Sequence, residues 1–365
     1  MDSITHLFLG GSIAAVIAPA RHRRAALLAG AALNTLPDLD SLFITFFTDD
    51  PVSLMTVHRS FSHSLFVLPL LGWLIWWLCK RRNKRVAESP QRWFWAIQLA
   101  LLTHPLLDAF TVYGTHLLWP FRIPPVMWSS LFIIDPIYTV WMLCACVFAW
   151  VAHDQVRAQR ALLAGLALSA TYLGWSLLAK TMVDRQADRA LAALGLASAP
   201  RFSVPMPLNT LLWRVVAMTP DGYVIGDRSL VADRGAMKFD GHKSNAQALA
   251  EARELPAVRD LAWFNRGFMR ARVVDGELVL SDLRMGLEPD YNFNFVVATR
   301  DDQRWRSIPP RQLQAAYRAP VAPGQLTEAL AALWYRIWHQ PDSVAADTRV
   351  DPDSPEPGGR VPAKP

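Results

Sequence analysis

The feature that most constrains this chain is a set of long apolar runs confined to its first half. "HSLFVLPLLGWLIWWLC" (63–79), "RWFWAIQLALLTHPLLDAF" (92–110), "LFIIDPIYTVWMLCACVFAWVA" (131–152) and "ALLAGLALSATYLGWSLLA" (161–179) each approach bilayer-crossing length, which takes about 20 mostly apolar residues in a helix. Two shorter segments rich in small residues, 6–19 and 25–37, read as tightly packed short spans. The expectation is an α-helical integral membrane domain of about six spans over residues 1–182. Asp2 precedes the first apolar run and the basic cluster follows it, the reverse of a secretory signal peptide. No cleaved leader is expected.

The net charge of +6 is not a nucleic-acid signal, because the basic residues are concentrated in "RHRR" (21–24), "KRRNKR" (80–85) and "HDQVRAQR" (153–160). In a six-span chain these are the first, third and fifth connections. Short loops rich in Lys and Arg stay cytoplasmic. The N-terminus, the even connections and everything after residue 182 are then expected on the far side, the periplasm of a Gram-negative inner membrane. Cys79, Cys144 and Cys146 fall within apolar runs and support neither a disulfide framework nor a CxxC site.

Histidines and acids collect on that same far side. "MDSITH" carries Asp2 and His6, "LPDLD" carries Asp38 and Asp40, and "HRSFSHS" carries His58 and His63. "THPLLD" follows with His104 and Asp108, and "IIDP" with Asp135. The charge rule used none of these residues, so their common face is an independent observation. Imidazole and carboxylate at this density suit Zn, Mn or Fe-type divalent ions. Blander readings stand beside this one. Asp135 before Pro136 is equally a helix N-cap, "PDLD" equally closes a helix and turns, and His58 and His63 are equally loop residues bonded to one another. His116, in "YGTHLLWP", looks incidental. His104 and Asp108 differ, since four residues apart they share one helix face. An ionised Asp inside a span costs roughly 2.5–3.5 kcal/mol on insertion scales and usually marks function.

The order "MDSITH", "LPDLD", "HRSFSHS", "THPLLDAFTVYGT…LLWPF" and "FIIDP" resembles the membrane-bound, metal-dependent hydrolases of the YdjM type. The likeness covers about the first half of the chain in motif order. "LNTLLWRVV", "DGYVIG" and "SDLRMG" are similar to the long bacterial branch of that family. The resemblance implies a metal-dependent hydrolase of unspecified substrate. A weaker likeness, in ligand pattern alone, is to zinc-dependent phospholipase C-like enzymes. His116 stands where relatives more often carry another polar residue, and it is left out of the ligand set.

The candidate metal ligands are therefore His6, Asp38, Asp40, His58, His63, His104 and Asp108, for a divalent ion that is first of all Zn, with Mn or Fe as alternatives. Asp40 and Arg59 are the candidate catalytic residues. A bridging carboxylate can join two ions, and Arg59 can bind an anionic group or steady developing charge. Ser62, Ser64 and Thr103 are candidates to orient the imidazoles. A site at a bilayer surface points to a lipid or lipid-linked substrate, with phosphoester hydrolysis ahead of amide or carboxylic ester cleavage. The partner expected is the lipid bilayer, with no nucleic acid. Two alternatives compete: a metal-stabilised membrane scaffold or stress-response protein without activity, and an ion-conducting transporter. Against the transporter, none of the polar groups reaches the cytoplasmic half.

From residue 200 the pattern becomes that of a small soluble α+β domain, 200–340. "FMRARVVDGELVLSDLRMG" (268–286) holds two strands joined by Asp275-Gly276, a strong hairpin signal. "LWRVVAM", "DGYVIGDRS" and "YNFNFVVATR" add strands, and "SNAQALAEARE" reads as a helix. Arg284 either reaches the membrane site or, more in keeping with its neighbour, pairs with Asp282. Residues 341–365 are rich in Pro, Asp and Gly and are expected to be a disordered tail.

Overall fold

A computed structural model of the chain describes residues 1–302, 304–313 and 325–341; nearly all of the expected tail, 341–365, lies outside them. The N-terminal part is helical: α1 (Ser3–Ile17), α2 (Arg23–Thr35), α3 (Asp40–Ile44), α4 (Pro51–Val57), α5 (Val67–Arg82), α6 (Lys84–Glu88), α7 (Pro90–Asp108), α8 (Pro136–Val151) and α9 (Gln155–Ala193). Helix α1 is central and packs against α2, α7, α8 and α9. Its fit to α2 is close because both carry glycine at the crossing. A Cβ on Gly30 would lie 2.1 Å from the Gly10 carbonyl oxygen, so only glycine lets the two backbones approach this far. That approach sets His6 and Asn34 side by side at one end of the helix pair.

The expectation of about six spans is not met. Among the described residues one helix, α9, is long and apolar enough to cross a membrane, or two if the bent pair Pro51–His63 and Val67–Arg82 counts as one broken span. The reason lies in the polar residues that interrupt the apolar runs. In 63–79 the helix begins at Val67, because Ser64 turns the chain and its hydroxyl accepts the Phe66 and Val67 N–H groups. In 131–152 it begins at Pro136, with Asp135 as N-cap accepting from Ile137 and Tyr138. The 6–19 and 25–37 runs give helices of 15 and 13 residues, short of the about 20 that a span takes.

The basic connections nevertheless meet at one end of the bundle. Arg23 donates to the Ala149 and Ala152 carbonyls and to Gln155, Arg24 to the Trp150 carbonyl, and Arg21 to Glu88. Arg23 and Arg24 satisfy carbonyls left open at the C-terminus of α8, where the helix dipole also favours positive charge. The His and Asp residues lie at the opposite ends of the same helices.

Helix α9, with 39 residues, is roughly 58 Å long at 1.5 Å per residue and runs on beyond the bundle. Its last turns, through Ala179, Val183 and Ala187, pack on Trp213, Val215 and Met237. These belong to a β domain of two antiparallel four-stranded sheets. The first has the order β1-β2-β3-β4, with β1 Arg201–Pro205, β2 Leu212–Thr219, β3 Gly222–Ser229 and β4 Asp240–Lys243. After α10 (Ala246–Ala252) and α11 (Pro256–Phe264) come β5 (Met269–Val274), β6 (Glu277–Asp282), β7 (Gly286–Leu287), β8 (Asp290–Tyr291), β9 (Asn294–Asp301) and β10 (Arg304–Leu313). The second sheet runs β10-β9-β6-β5, while β7 and β8 form a small ribbon. Helix α12 (Gln325–Trp338) seats Leu333 and Ile337 on Met206 and Leu212.

The second sheet is joined to the helical part by a shared core. Val52 and Met55 of α4, with Tyr113, pack among Val258, Leu261, Phe264 and Phe295. Arg284 forms a fully buried pair with Asp282 at 2.7 Å and donates to the Tyr113 carbonyl at 3.0 Å. It braces the loop after α7 and does not reach the His–Asp cluster itself.

Candidate metal centre

Four side chains from three separate segments converge at the end of the bundle away from the basic connections. Asp38 comes from a 3₁₀ turn, Leu36–Leu39, that closes α2. His63 ends the 3₁₀ turn Phe61–His63 before α5, and His104 and Asp108 share the last turn of α7. One ligand atom from each lies within 4.8 Å of all the others. His63 Nε2 and His104 Nε2 are 2.9 Å apart. Each is 3.2–3.3 Å from Asp108 Oδ2 and 3.4–3.5 Å from Asp38 Oδ1. Four donors placed tetrahedrally at about 2.0–2.2 Å from an ion stand about 3.3–3.6 Å from one another. The histidine-to-carboxylate separations are close to those of a tetrahedral site, while the two imidazole nitrogens stand closer together.

The hydrogen bonding fits a cation as well. Asp38 Oδ1 and Asp108 Oδ2, the two oxygens aimed inward, are buried without a hydrogen-bond partner. Such an orphan is costly unless something unseen satisfies it. The imidazole of His63 is presented correctly for a ligand. Ser62 Oγ donates to Asp40 Oδ2 at 2.5 Å, so it accepts from His63 Nδ1–H at 2.9 Å and leaves the Nε2 lone pair facing inward. Burial pushes the Asp38 carboxyl up, but whenever the His104 and His63 ring nitrogens facing it carry protons, their hydrogen bonds outweigh burial and hold the group below the usual carboxylate range.

The remaining candidates surround this cluster. His6 is fixed by Asn34, which spends its amide hydrogens on the Ala100 carbonyl and Thr103 and therefore accepts from His6 Nδ1–H at 3.0 Å. The His6 Nε2 edge then faces Asp108 Oδ1 at 3.2 Å, the oxygen turned away from the four-atom cluster, which the Met1 amino group also contacts. Its ring lies 3.9 Å from that of His104. Asp40 and His58 stand one layer out. Asp40 accepts from His58 Nδ1 at 2.7 Å, from the Arg59 backbone N–H at 3.0 Å and from Ser62. It therefore ties together the loop that delivers His63. Burial raises the Asp40 carboxyl, but the bonds from His58 and Ser62 outweigh it and hold the group below its ordinary value.

Arg59 takes a left-handed backbone (φ 62°), uncommon for a side chain of this size. The turn points its guanidinium inward, over the Tyr113 ring at 5.1 Å, with Nε 3.4 Å from Asp108 Oδ2 and no hydrogen-bond partner for that nitrogen. Ser64 bonds the Trp119 carbonyl and caps α5, and Thr103 supports Asn34. Asp135 caps α8 and accepts from the Tyr172 hydroxyl. His116 bonds the Thr56 carbonyl, and burial pushes it down to about 4. None of these last four reaches the cluster.

A family model matches residues 1–183 under the description "YdjM inner membrane protein". The chain belongs to that family. The matched region contains all four converging residues and ends within α9. No curated protein and no solved structure matches the chain.

Asn34 and Tyr113 were not among the residues expected from sequence. Asn34 had a signal, since a lone amide in the small apolar run "AGAALNT" must find partners when buried. Tyr113 had none beyond its place after Asp108. If the Asp40–Ser62–His63 relay orients a ligand, Ser62→Ala lowers metal affinity by about 10–100-fold. Competition against a chelating dye measures this, and unchanged affinity would remove Ser62 from the relay.

Proposed function

We propose that this inner-membrane-family protein is a metal-dependent hydrolase of a phosphoester or lipid-type substrate at the non-cytoplasmic membrane face. One observation carries the reading: inward donors that are all imidazole and carboxylate, beside a buried guanidinium with an unused N–H. Structural zinc sites lean on cysteine thiolates, whereas catalytic ones favour His, Asp and Glu. Asp38, His63, His104 and Asp108 would hold a divalent ion, with Zn ahead of Mn or Fe. When bound, such an ion supplies Lewis acidity toward a phosphoryl or carbonyl oxygen. Arg59 would bind and orient the anionic part of the substrate, since its guanidinium stands beside the centre, 3.4 Å from Asp108, and matches phosphate geometry. Asp40 keeps His58 and His63 in place, and His58 Nε2 remains available for proton transfer at the partly exposed edge. The basic end of the bundle supports the orientation, because Lys- and Arg-rich loops stay cytoplasmic.

A second reading, a metal-stabilised scaffold, has its own support. Four protein donors already complete a tetrahedron, as in structural sites. Purified protein in nanodiscs, assayed for bound metal and for cleavage of a panel of phospholipids and soluble phosphoesters, separates the two. The hydrolase cleaves a member of the panel and loses that activity in Asp40→Asn. A protein that holds its ion tightly and cleaves nothing is the scaffold. Orientation is tested apart from activity: alkaline phosphatase fused after Gln340 is expected to be active and a green fluorescent protein fusion there dark. The opposite pattern would put the centre on the cytoplasmic side.

A further inference from the structure

The open edge of the centre is bordered by apolar side chains with nothing to cover them. His63, His104 and Asp108 are fully buried, while the Asp38 and His58 side chains are each 22 % exposed. Entry is therefore past Asp38 and His58. Directly after Asp38 the chain places Leu39, Leu42, Phe43, Phe46 and Phe47 at 54, 65, 54, 83 and 74 % exposure. Five large apolar residues within nine, all facing outward, are far from what a water-facing turn tolerates. Polar residues resume at once with Thr48, Asp49 and Asp50, the last of which caps α4. Val57, which precedes His58, is 41 % exposed, and Phe61 is 38 % exposed. Both belong to the apolar pair Pro51–His63 and Val67–Arg82, which bends by 55° at its break.

We propose that Leu39–Phe47 is a lip inserted among the acyl chains of the bilayer, and that phospholipid reaches the His–Asp centre sideways, between this lip and Val57–Phe61. Bilayer lipid is the occupant because the chain belongs to an inner-membrane family and both walls of the opening are apolar. The lip is also continuous in sequence with Asp38, and the far wall with the break that holds His63. Lipid chains lying along Leu39, Leu42 and Phe46 would bring a phosphate to the level of Asp38, His58 and Arg59, where an inward guanidinium has an unused N–H. A water-filled approach would instead line the entrance with polar side chains. The entry route rests on the hydrolase reading; insertion of the lip does not.

The test uses the full chain in nanodiscs of palmitoyl-oleoyl phosphatidylglycerol and phosphatidylethanolamine. The photoreactive residue p-benzoylphenylalanine replaces Phe46 in one variant and Val57 in another. Both positions are exposed, so neither probe enters the core. Irradiation and mass spectrometry are expected to find phospholipid adducts at both positions, on acyl carbons for the probe at Phe46. Absence of lipid adducts at Phe46, or adducts there to a second copy of this chain, would overturn insertion. Lipid adducts at Phe46 with none at Val57 would overturn the sideways route. The readout needs neither turnover nor bound metal and is repeated after chelation, so even a protein that cleaves nothing shows whether the lip is inserted.

Discussion

Replacing His104 by alanine is expected to empty the centre of metal, from about one ion per chain to none, and to destabilise the fold. His104 Nε2 stands within 3.4 Å of His63, Asp38 and Asp108 together, so its loss leaves one imidazole and two carboxylates. Asp38 Oδ1 and Asp108 Oδ2 are buried without hydrogen-bond donors. With the ion gone the two carboxylates repel one another across a largely buried site. Arg59, His6 and the Met1 amino group still offset part of the Asp108 charge, so the loss is smaller than that of a fully unpaired buried ion. The loss should appear as a lower melting temperature in His104→Ala, and in the wild type after chelation. Elemental analysis and thermal unfolding, each with and without chelator, read both effects. If the cluster is only a hydrogen-bonded His–Asp network, His104→Gln keeps the melting temperature and chelator changes nothing.

The pairing of His104 with Asp108 was legible because a helix puts i and i+4 on one face whatever surrounds it. Which members of "LPDLD" and "HRSFSHS" join them was not. In each motif two candidates lie in turns of a few residues, and the turn decides which one points inward. Asp38 and His63 face the cluster, while Asp40 and His58 pair with each other one layer out. His6 turned on a contact that local pattern does not hold, the glycine-to-glycine approach of α1 and α2.

The same kind of limit explains the spans. Apolar residues can be counted along "HSLFVLPLLGWLIWWLC", but the residues that serve the centre and its edges also end helices. His63, Ser64, Asp108 and Asp135 each mark a helix boundary or a turn. The runs are therefore cut short by the polar groups that give the end of the bundle its chemistry. In the β domain local chemistry was enough. Asp275 and Gly276 both take positive φ between β5 and β6, as a two-residue hairpin turn demands.

If the proposed hydrolase reading holds, Arg59 offers the sharpest separation of catalysis from metal retention. Its φ of 62° is one that asparagine adopts readily, so Arg59→Asn removes the guanidinium while suiting the local backbone. The Arg59 N–H that bonds Asp40 belongs to the main chain, so the loop carrying His63 stays tied. An ion held by four other side chains should be retained at wild-type stoichiometry. Hydrolysis should nevertheless fall by about 10²–10³-fold, the usual cost of removing one aligned donor from developing negative charge. Arg59→Lys is expected to recover part of the loss, because charge returns without the planar fork that matches phosphate. The assay is kcat on whichever phosphoester or lipid the wild type cleaves, beside metal content of the same preparations. A drop in metal equal to the drop in rate would make Arg59 a brace for Asp108, whose Oδ2 lies 3.4 Å from its Nε. Full activity with asparagine in place would leave the anion to some other group.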